Sequence, residues 1–298
     1  EWTTSASFAR NREKILQLTG GVANNIVNTG TPYTLTIGEP INSFRNFKVD
    51  GIWQIGEEKE AAAFGRRPGD IKVNVPGLTR EGEGVYSKTD ANGVKRYYYA
   101  DLAEAKKYDP SLTATANTTY TYSNNDFQIL GHNTPNWSLG FQNGFRYKGF
   151  DLTVYAYFRW GQMINYNMLG WYQPNGFATN ASPSRTIPEY FNYWTPENPS
   201  NDFPVMNYQA TTSSMLGFSG LSYVEGSFFK IKNISLGYTL PANVAKKMAL
   251  EKFRVYGTIT NPLIVAKSHL LKQYDPEMNG ELSYPLTKQI VVGLNITF

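Results

Sequence analysis

Gln289-Ile290-Val291-Val292-Gly293-Leu294-Asn295-Ile296-Thr297-Phe298 alternates almost without fault and ends on a phenylalanine. A period of two puts Ile290, Val292, Leu294, Ile296 and Phe298 on one face of a strand and Gln289, Val291, Gly293, Asn295 and Thr297 on the other. About ten residues is the length a tilted strand needs to cross the hydrocarbon of a bilayer. An apolar face toward lipid and a small or polar face toward a lumen is the pattern of an outer-membrane β-barrel. A soluble sandwich strand, with one face on a core and the other in water, alternates in the same way. The rest of the chain has to decide between the two.

Composition favours the membrane. Charged residues are 17% of the 298, against roughly 25% in soluble domains, while aromatics reach 15%, with 21 Tyr. Tyr and Trp join an apolar body to a polar tip, which suits a membrane boundary, and barrels gather them in girdles at both boundaries. A mean hydropathy of −0.42 fits a barrel, because half of each strand avoids lipid. The sequence has no apolar run of the roughly 18 residues a spanning helix needs. Without cysteine there is no disulfide framework, thiolate nucleophile or Cys-ligated zinc. The net charge of +4 is small and its cations are scattered, which argues against a nucleic-acid partner.

Further strands repeat the terminal pattern. Trp137, Leu139, Phe141, Phe145 and Tyr147 share one face, opposite Ser138, Gly140, Gln142, Gly144 and Arg146. After Lys148-Gly149, Phe150 to Gln162 alternates again, with Tyr155, Tyr157 and Arg159 on the polar side, so the two runs predict a hairpin. Ser227 to Leu240 changes parity between Ile231 and Ile234, which predicts a bulge near Lys232-Asn233. Pro241 ends that strand, 242–250 suits a short helix, and Lys252 to Asn261 alternates once more. Weaker strand patterns cover 2–9 and 40–54. About seven membrane strands result, joined by short connections at 148–149 and 241–251 and long ones at 55–136, 163–226 and 262–287. Short turns on one side and long loops on the other is how bacterial barrels are built. Connection 10–39, a long link on the short-turn side, breaks that rule. Seven strands do not close a barrel, so the chain reads as the C-terminal part of a larger wall. The opening Glu1-Trp2-Thr3-Thr4 lacks the regions of a signal peptide, which agrees with a start inside a longer polypeptide.

Several strings are recognisable together. They are Gly38 to Gln54 (GEPINSFRNFKVDGIWQ), Pro68 to Lys72, Asn125 to Gly131, Pro135 to Phe141, Tyr193 to Pro199 (YWTPENP), Ile231 to Pro241, Tyr274-Asp275-Pro276-Glu277, Tyr284 to Leu286 and the terminal strand. In order and at these spacings they resemble the C-terminal barrel region of SusC/RagA-type TonB-dependent outer-membrane transporters of Bacteroidetes. The resemblance implies an all-β fold: residues 1–298 as the C-terminal portion of one antiparallel transmembrane barrel of about 22 strands, with long extracellular loops and the plug domain outside this chain. It also implies import of glycans (oligosaccharides) or peptides, a SusD-like lipoprotein lid, TonB engaged through the missing N-terminal region, and an outer-membrane location. Phe298 would be the signal for insertion by the assembly machinery. One departure is that Lys72 is followed by Val73-Asn74-Val75-Pro76-Gly77 and a long insertion, where many relatives have an Asp- and Gly-rich stretch. Asp90-Ala91-Asn92-Gly93 has too few carboxylates to form a calcium loop, so no metal or cofactor is expected.

Catalytic residues are not expected. His132 and His269 sit in loop-like contexts without triad or HExxH spacing. Glu57-Glu58 reads as a solvated face, and Glu197 lacks the second carboxylate that a glycosidase needs. The candidates for substrate contact are Tyr155, Tyr157 and Arg159, which parity places in the lumen, and Trp171, Tyr172 and Trp194, in a connection rich in aromatics, Asn and Pro. Aromatic faces pack on sugar rings, and Asn both donates and accepts hydrogen bonds. The plain reading is that these side chains pack against the loop, a lid, the plug or the next strand. The competing functions are a secreted all-β glycan-binding module and an adhesion barrel without transport.

Overall fold

The computed structural model describes residues 1–19, 26–28, 33–114, 118–166, 169, 191–206, 218–281 and 283–298. Six long strands form one antiparallel sheet: β1 (Trp2–Ala9), β2 (Trp137–Tyr147), β3 (Phe150–Trp160), β4 (Phe228–Thr239), β5 (Lys252–Ala266) and β6 (Gln289–Thr297), side by side in chain order. Lys148 and Gly149 both have positive φ, 46° and 87°. That is the backbone of a type I′ turn, whose twist matches the strands it joins. A six-residue helix, α1 (Ala242–Lys247), closes the next short turn between β4 and β5.

The bulge falls where the change of parity put it. Tyr155 pairs with Asn233 and Ala156 with Ile231, so Lys232 has no partner on β3. The disturbance continues into β5, where Ile231 pairs with Leu263 and Asn233 with Thr260. β5 therefore extends past Asn261-Pro262, where the alternation stopped. Asn261 takes a left-handed φ of 53°, and Pro262 occupies a position that owes the ladder no N–H.

Register sorts the side chains cleanly. The apolar face carries Ile290, Val292, Leu294 and Ile296 of β6 opposite Ile259, Gly257, Val255 and Phe253 of β5, and continues through Leu236 and Ile234 to Leu152 and Val154. Most of this face is uncovered; Ile290 is 76% exposed and Val292 74%. So large an open apolar surface marks an interaction surface. Its aromatics collect at the two ends. Near the short turns, Trp2 stacks on Phe145 (5.8 Å) and Phe150 meets Tyr238 (4.5 Å). Near the long connections, Phe8 stacks on Trp137, Trp137 on Trp160, and Phe158 meets Phe229. Ten residues separate Phe150 from Trp160. At about 3.3 Å per residue and a tilt of about 40° they span roughly 25 Å, the height of a barrel's apolar band.

The seventh expected strand is not in this sheet. Residues 40–54 form two short strands instead, Ser43–Asn46 and Val49–Ile52, and the second pairs with Ile71–Val73. The irregular connection at 10–39 thereby disappears. The link from β1 to β2 is a single connection, 10–136, and it leaves the same end of the sheet as 161–227 and 267–288. All three long connections now share one end, and the two short ones share the other.

Two compact units divide the chain: residues 1–43, 131–165 and 224–298, which contain the sheet, and residues 44–130 with 166–223. The second unit is more than loop decoration. Trp53, Phe64, Ile71, Val73, Tyr120, Tyr122 and Trp194 build its core. Leu78–Gly82, Val85–Thr89 and Lys95–Tyr99 form a three-stranded sheet within it. A one-turn helix covers Leu102–Ala105, with the Asp101 side chain accepting from Ala103 N.

Candidate functional site

The polar face of the sheet is built around small residues that larger neighbours cover. A Cβ on Gly293 would fall 2.4 Å from Cζ of Tyr256, and one on Gly140 would fall 3.0 Å from the Tyr155 hydroxyl. The two tyrosines lie across these glycines, which have no side chain to hold them off. Tyr155 is thus used, at least on one side, in covering β2.

At the long-connection end the same face carries a dense charged cluster. Lys230 is 1% exposed, and its Nζ donates to Oδ2 of Asp275 at 2.7 Å and to Oε2 of Glu277 at 2.8 Å. Lys232, the bulged residue, donates to the other Glu277 oxygen, and its Nζ stands 4.6 Å from the centre of the Tyr157 ring. A buried ammonium is tolerated only when paired and hydrogen-bonded, and here two carboxylates supply both.

The carboxylates come from Tyr274-Asp275-Pro276-Glu277, and every residue of that string has a task. Asp275 caps a one-turn 3-10 helix by accepting from Glu277 N at 3.0 Å, while Pro276 begins the turn, where it has no N–H to lose. The Tyr274 hydroxyl accepts from Gly280 N at 2.8 Å and donates to Glu281 O at 2.9 Å. Burial pushes that hydroxyl up to about 12, so it remains a donor at any physiological pH. Gly280 has a φ of 94°, and a Cβ there would fall 2.1 Å from Asn165 O, so only glycine fits. Burial raises the Glu277 carboxyl, but hydrogen bonds and charge from Lys230 and Lys232 outweigh it and hold the group below its ordinary value.

This turn brings Asn279 to Arg159, whose Nη1 donates to Oδ1 at 3.3 Å. Two of the expected substrate contacts, Tyr157 and Arg159, are therefore together on the polar face, and both already have neighbours. Tyr157 lies between Lys232 and Phe228, its ring 6.1 Å from the latter. Trp194 is corrected outright: it is 5% exposed, inside the core of the second unit, and donates Nε1 to Gln54 Oε1 at 3.0 Å. Its large ring fills space there and has no face left for a ligand. Trp171 and Tyr172 lie outside the described residues. Phe298 is 86% exposed at the end of β6. His132 Nδ1 lies 2.6 Å from Thr134 O in a local turn contact. Glu57 is tied to Lys72 Nζ at 2.6 Å and Gln54 N at 2.9 Å, so it is a structural link and not the freely solvated charge expected.

Sequence reasoning missed Lys230, Lys232, Asp275, Glu277 and Asn279 as a group. The available signal was two lysines two residues apart in an otherwise apolar strand, together with two acids two apart in a Pro-containing turn.

No family model matches the chain. Among curated proteins it is similar to TonB-dependent receptor P3 of Formosa agariphila, 24% identical over all of this chain and 27% of that protein. It is also similar to receptor P26 of the same organism, 26% identical, again over 100% and 27%. The chain thus spans about a quarter of the length of the curated relatives it matches. Among solved structures, that of the RagAB peptide transporter aligns with a TM-score of 0.66 and 25% identity, over 100% of this chain and 27% of that one. The RagAB peptide importer in an open-open state shares the fold at a TM-score of 0.63.

Proposed function

We infer that this chain, a region of a SusC/RagA-type TonB-dependent receptor of the outer membrane, serves nutrient import as wall of the transporter's barrel. The observation that carries this reading is the two-faced sheet. Its apolar face is about 25 Å tall between two aromatic belts, and its polar face bears an ordered charged cluster. A soluble binding module would cover such an apolar face with a second layer. A barrel leaves it to lipid.

The fuller proposal is that 1–298 is the C-terminal portion of one barrel domain of about 22 strands, closed by strands that belong to the rest of the protein. The plug and the TonB-contacting segment would belong to that remainder as well, and a SusD-like lipoprotein would cover the mouth. The cargo we favour is short peptides, because the similar solved structures are of a peptide transporter; oligosaccharides are the alternative outcome of the test. Tyr155, Tyr157 and Arg159 are the proposed wall contacts; Trp171 and Tyr172 of connection 163–226 are further proposed substrate contacts. We assign the chain no catalytic role.

Uptake by cells with and without the full-length transporter tests this. Cells carrying it should accumulate a labelled peptide mixture in a TonB-dependent way, and cells lacking it should not. Accumulation of labelled oligosaccharides instead would change the cargo. Equal accumulation of both cargo types in both strains would overturn the import reading.

A further inference from the structure

The charged cluster is not balanced. Three cations, Lys230, Lys232 and Arg159, share the polar face with two carboxylates, Asp275 and Glu277. Both carboxylates are taken by the lysines. Among the described residues no carboxylate lies within ion-pair distance of Arg159. Its one side-chain partner there is the neutral Asn279 amide, at 3.3 Å. A guanidinium offers five donors in a rigid fork, so most of its capacity is unspent. Half-buried as it is, it attracts an anion more strongly than a freely solvated cation would.

We propose that Arg159, with Asn279 and Tyr157 beside it, is a carboxylate-binding subsite for the cargo. Lys230 acts as a positioning residue, pinning the Asp275–Glu277 turn so that neither carboxylate closes on Arg159 as an ion pair. The geometry supports the division of labour. Lys230 and Lys232 are held by the turn and cannot turn to a ligand without releasing it. Arg159 spends a single long hydrogen bond on the same turn. Bidentate pairing of guanidinium with carboxylate is short, planar and strong, and the flat Tyr157 ring offers an apolar neighbour for the rest of the ligand. The free end of a peptide and the acid of a uronic sugar both present this chemistry.

The proposal deepens the import reading and rests on it for location. Its test uses binding to the purified full-length transporter, which needs no energy from TonB, so the two can fail separately. Calorimetry would compare two matched pairs of probes: a pentapeptide with a free C-terminal carboxylate against its amide, and an oligogalacturonate against its methyl ester. The wild type should prefer the acid in one pair by about tenfold, and the pair that shows it identifies the source of the carboxylate. Arg159→Gln should erase the preference, so that acid and neutral partner bind alike. Lys230→Met should erase it too, although it does not touch the ligand. Arg159→Lys, which keeps the charge but loses the fork, should retain part of it and serves if the Gln variant does not fold. Equal binding within both pairs, including no binding at all, overturns the proposal. So does a preference that survives Arg159→Gln.

Discussion

Arg254 on β5 holds Asp151 on β3 across the full width of β4. Nε donates to Oδ1 at 3.0 Å and Nη2 to Oδ2 at 2.6 Å. The strand between them contributes Gly237 at the crossing, where a Cβ would fall 2.3 Å from Nη2 and 2.6 Å from Oδ1. Three strands are thus clamped on the polar face through a gap that only glycine leaves open.

Gly237→Ala should therefore force the two side chains apart and cost about 1.5–3 kcal/mol, the worth of a hydrogen bond between charged groups. Gly257→Ala is the control. Its added Cβ would meet nothing closer than Val291 O at 4.0 Å, so the change should stay within about 0.5 kcal/mol. Urea unfolding of the whole transporter in lipid reads both. Equal costs would mean that the clamp contributes nothing.

Lys230→Met should release the Asp275–Glu277 turn. Breaking a buried ion pair from one side costs about 3–5 kcal/mol, because charge is left without compensation. Most of that loss should appear locally: amides of 274–281 should exchange faster, while those of 292–296 keep their protection. Hydrogen exchange followed by mass spectrometry distinguishes this from general loosening of the sheet.

The same turn should be sensitive to acid. The folded state holds the Glu277 carboxyl below its ordinary 4.5. Its contribution is therefore complete above that value and is lost as pH falls through the depressed folded one. Protease resistance of 267–288 should be constant from pH 7 to about 5 and drop only below 4.5. A loss centred near neutrality would point to another group.

Parity predicts unequal costs for a charge on the last strand. Arg at Leu294, on the apolar face opposite Val255, should destabilise the barrel by roughly 2–4 kcal/mol near the middle of the bilayer, whereas Arg at Asn295 should cost much less. Folding titrations of the whole transporter would show equal penalties if the faces were assigned wrongly.

Deleting Phe298 tests its expected part in insertion. The amount of folded protein in the membrane should fall, while uptake per folded molecule stays the same. A normal folded yield would remove that role.

Period-two alternation was legible without any structure because it is local. A residue's parity decides its face, whatever the strand pairs with. That is why the Lys148-Gly149 hairpin, the bulge at Lys232 and both faces of β6 could be read from the chain. Where local rules compete with pairing, reading failed. Pro262 looked like an end to β5, but the bulge spared it a ladder bond, and 40–54 had a strand's composition but paired outside the six-stranded sheet.

The charged cluster shows the limit most clearly. The sequence by itself determined that Lys230, Tyr157 and Arg159 belong to strands and that Asp275 and Glu277, on either side of Pro276, lie in the long connection 262–287. Only the tertiary structure decided that Lys230 and Glu277, 47 residues apart, would meet, that Asn279 would reach Arg159, and that Trp194 would be core rather than surface. Strand faces follow from bonds along the chain. Which loop folds onto which face follows from burying and pairing charges over long separations, where no short-range pattern applies.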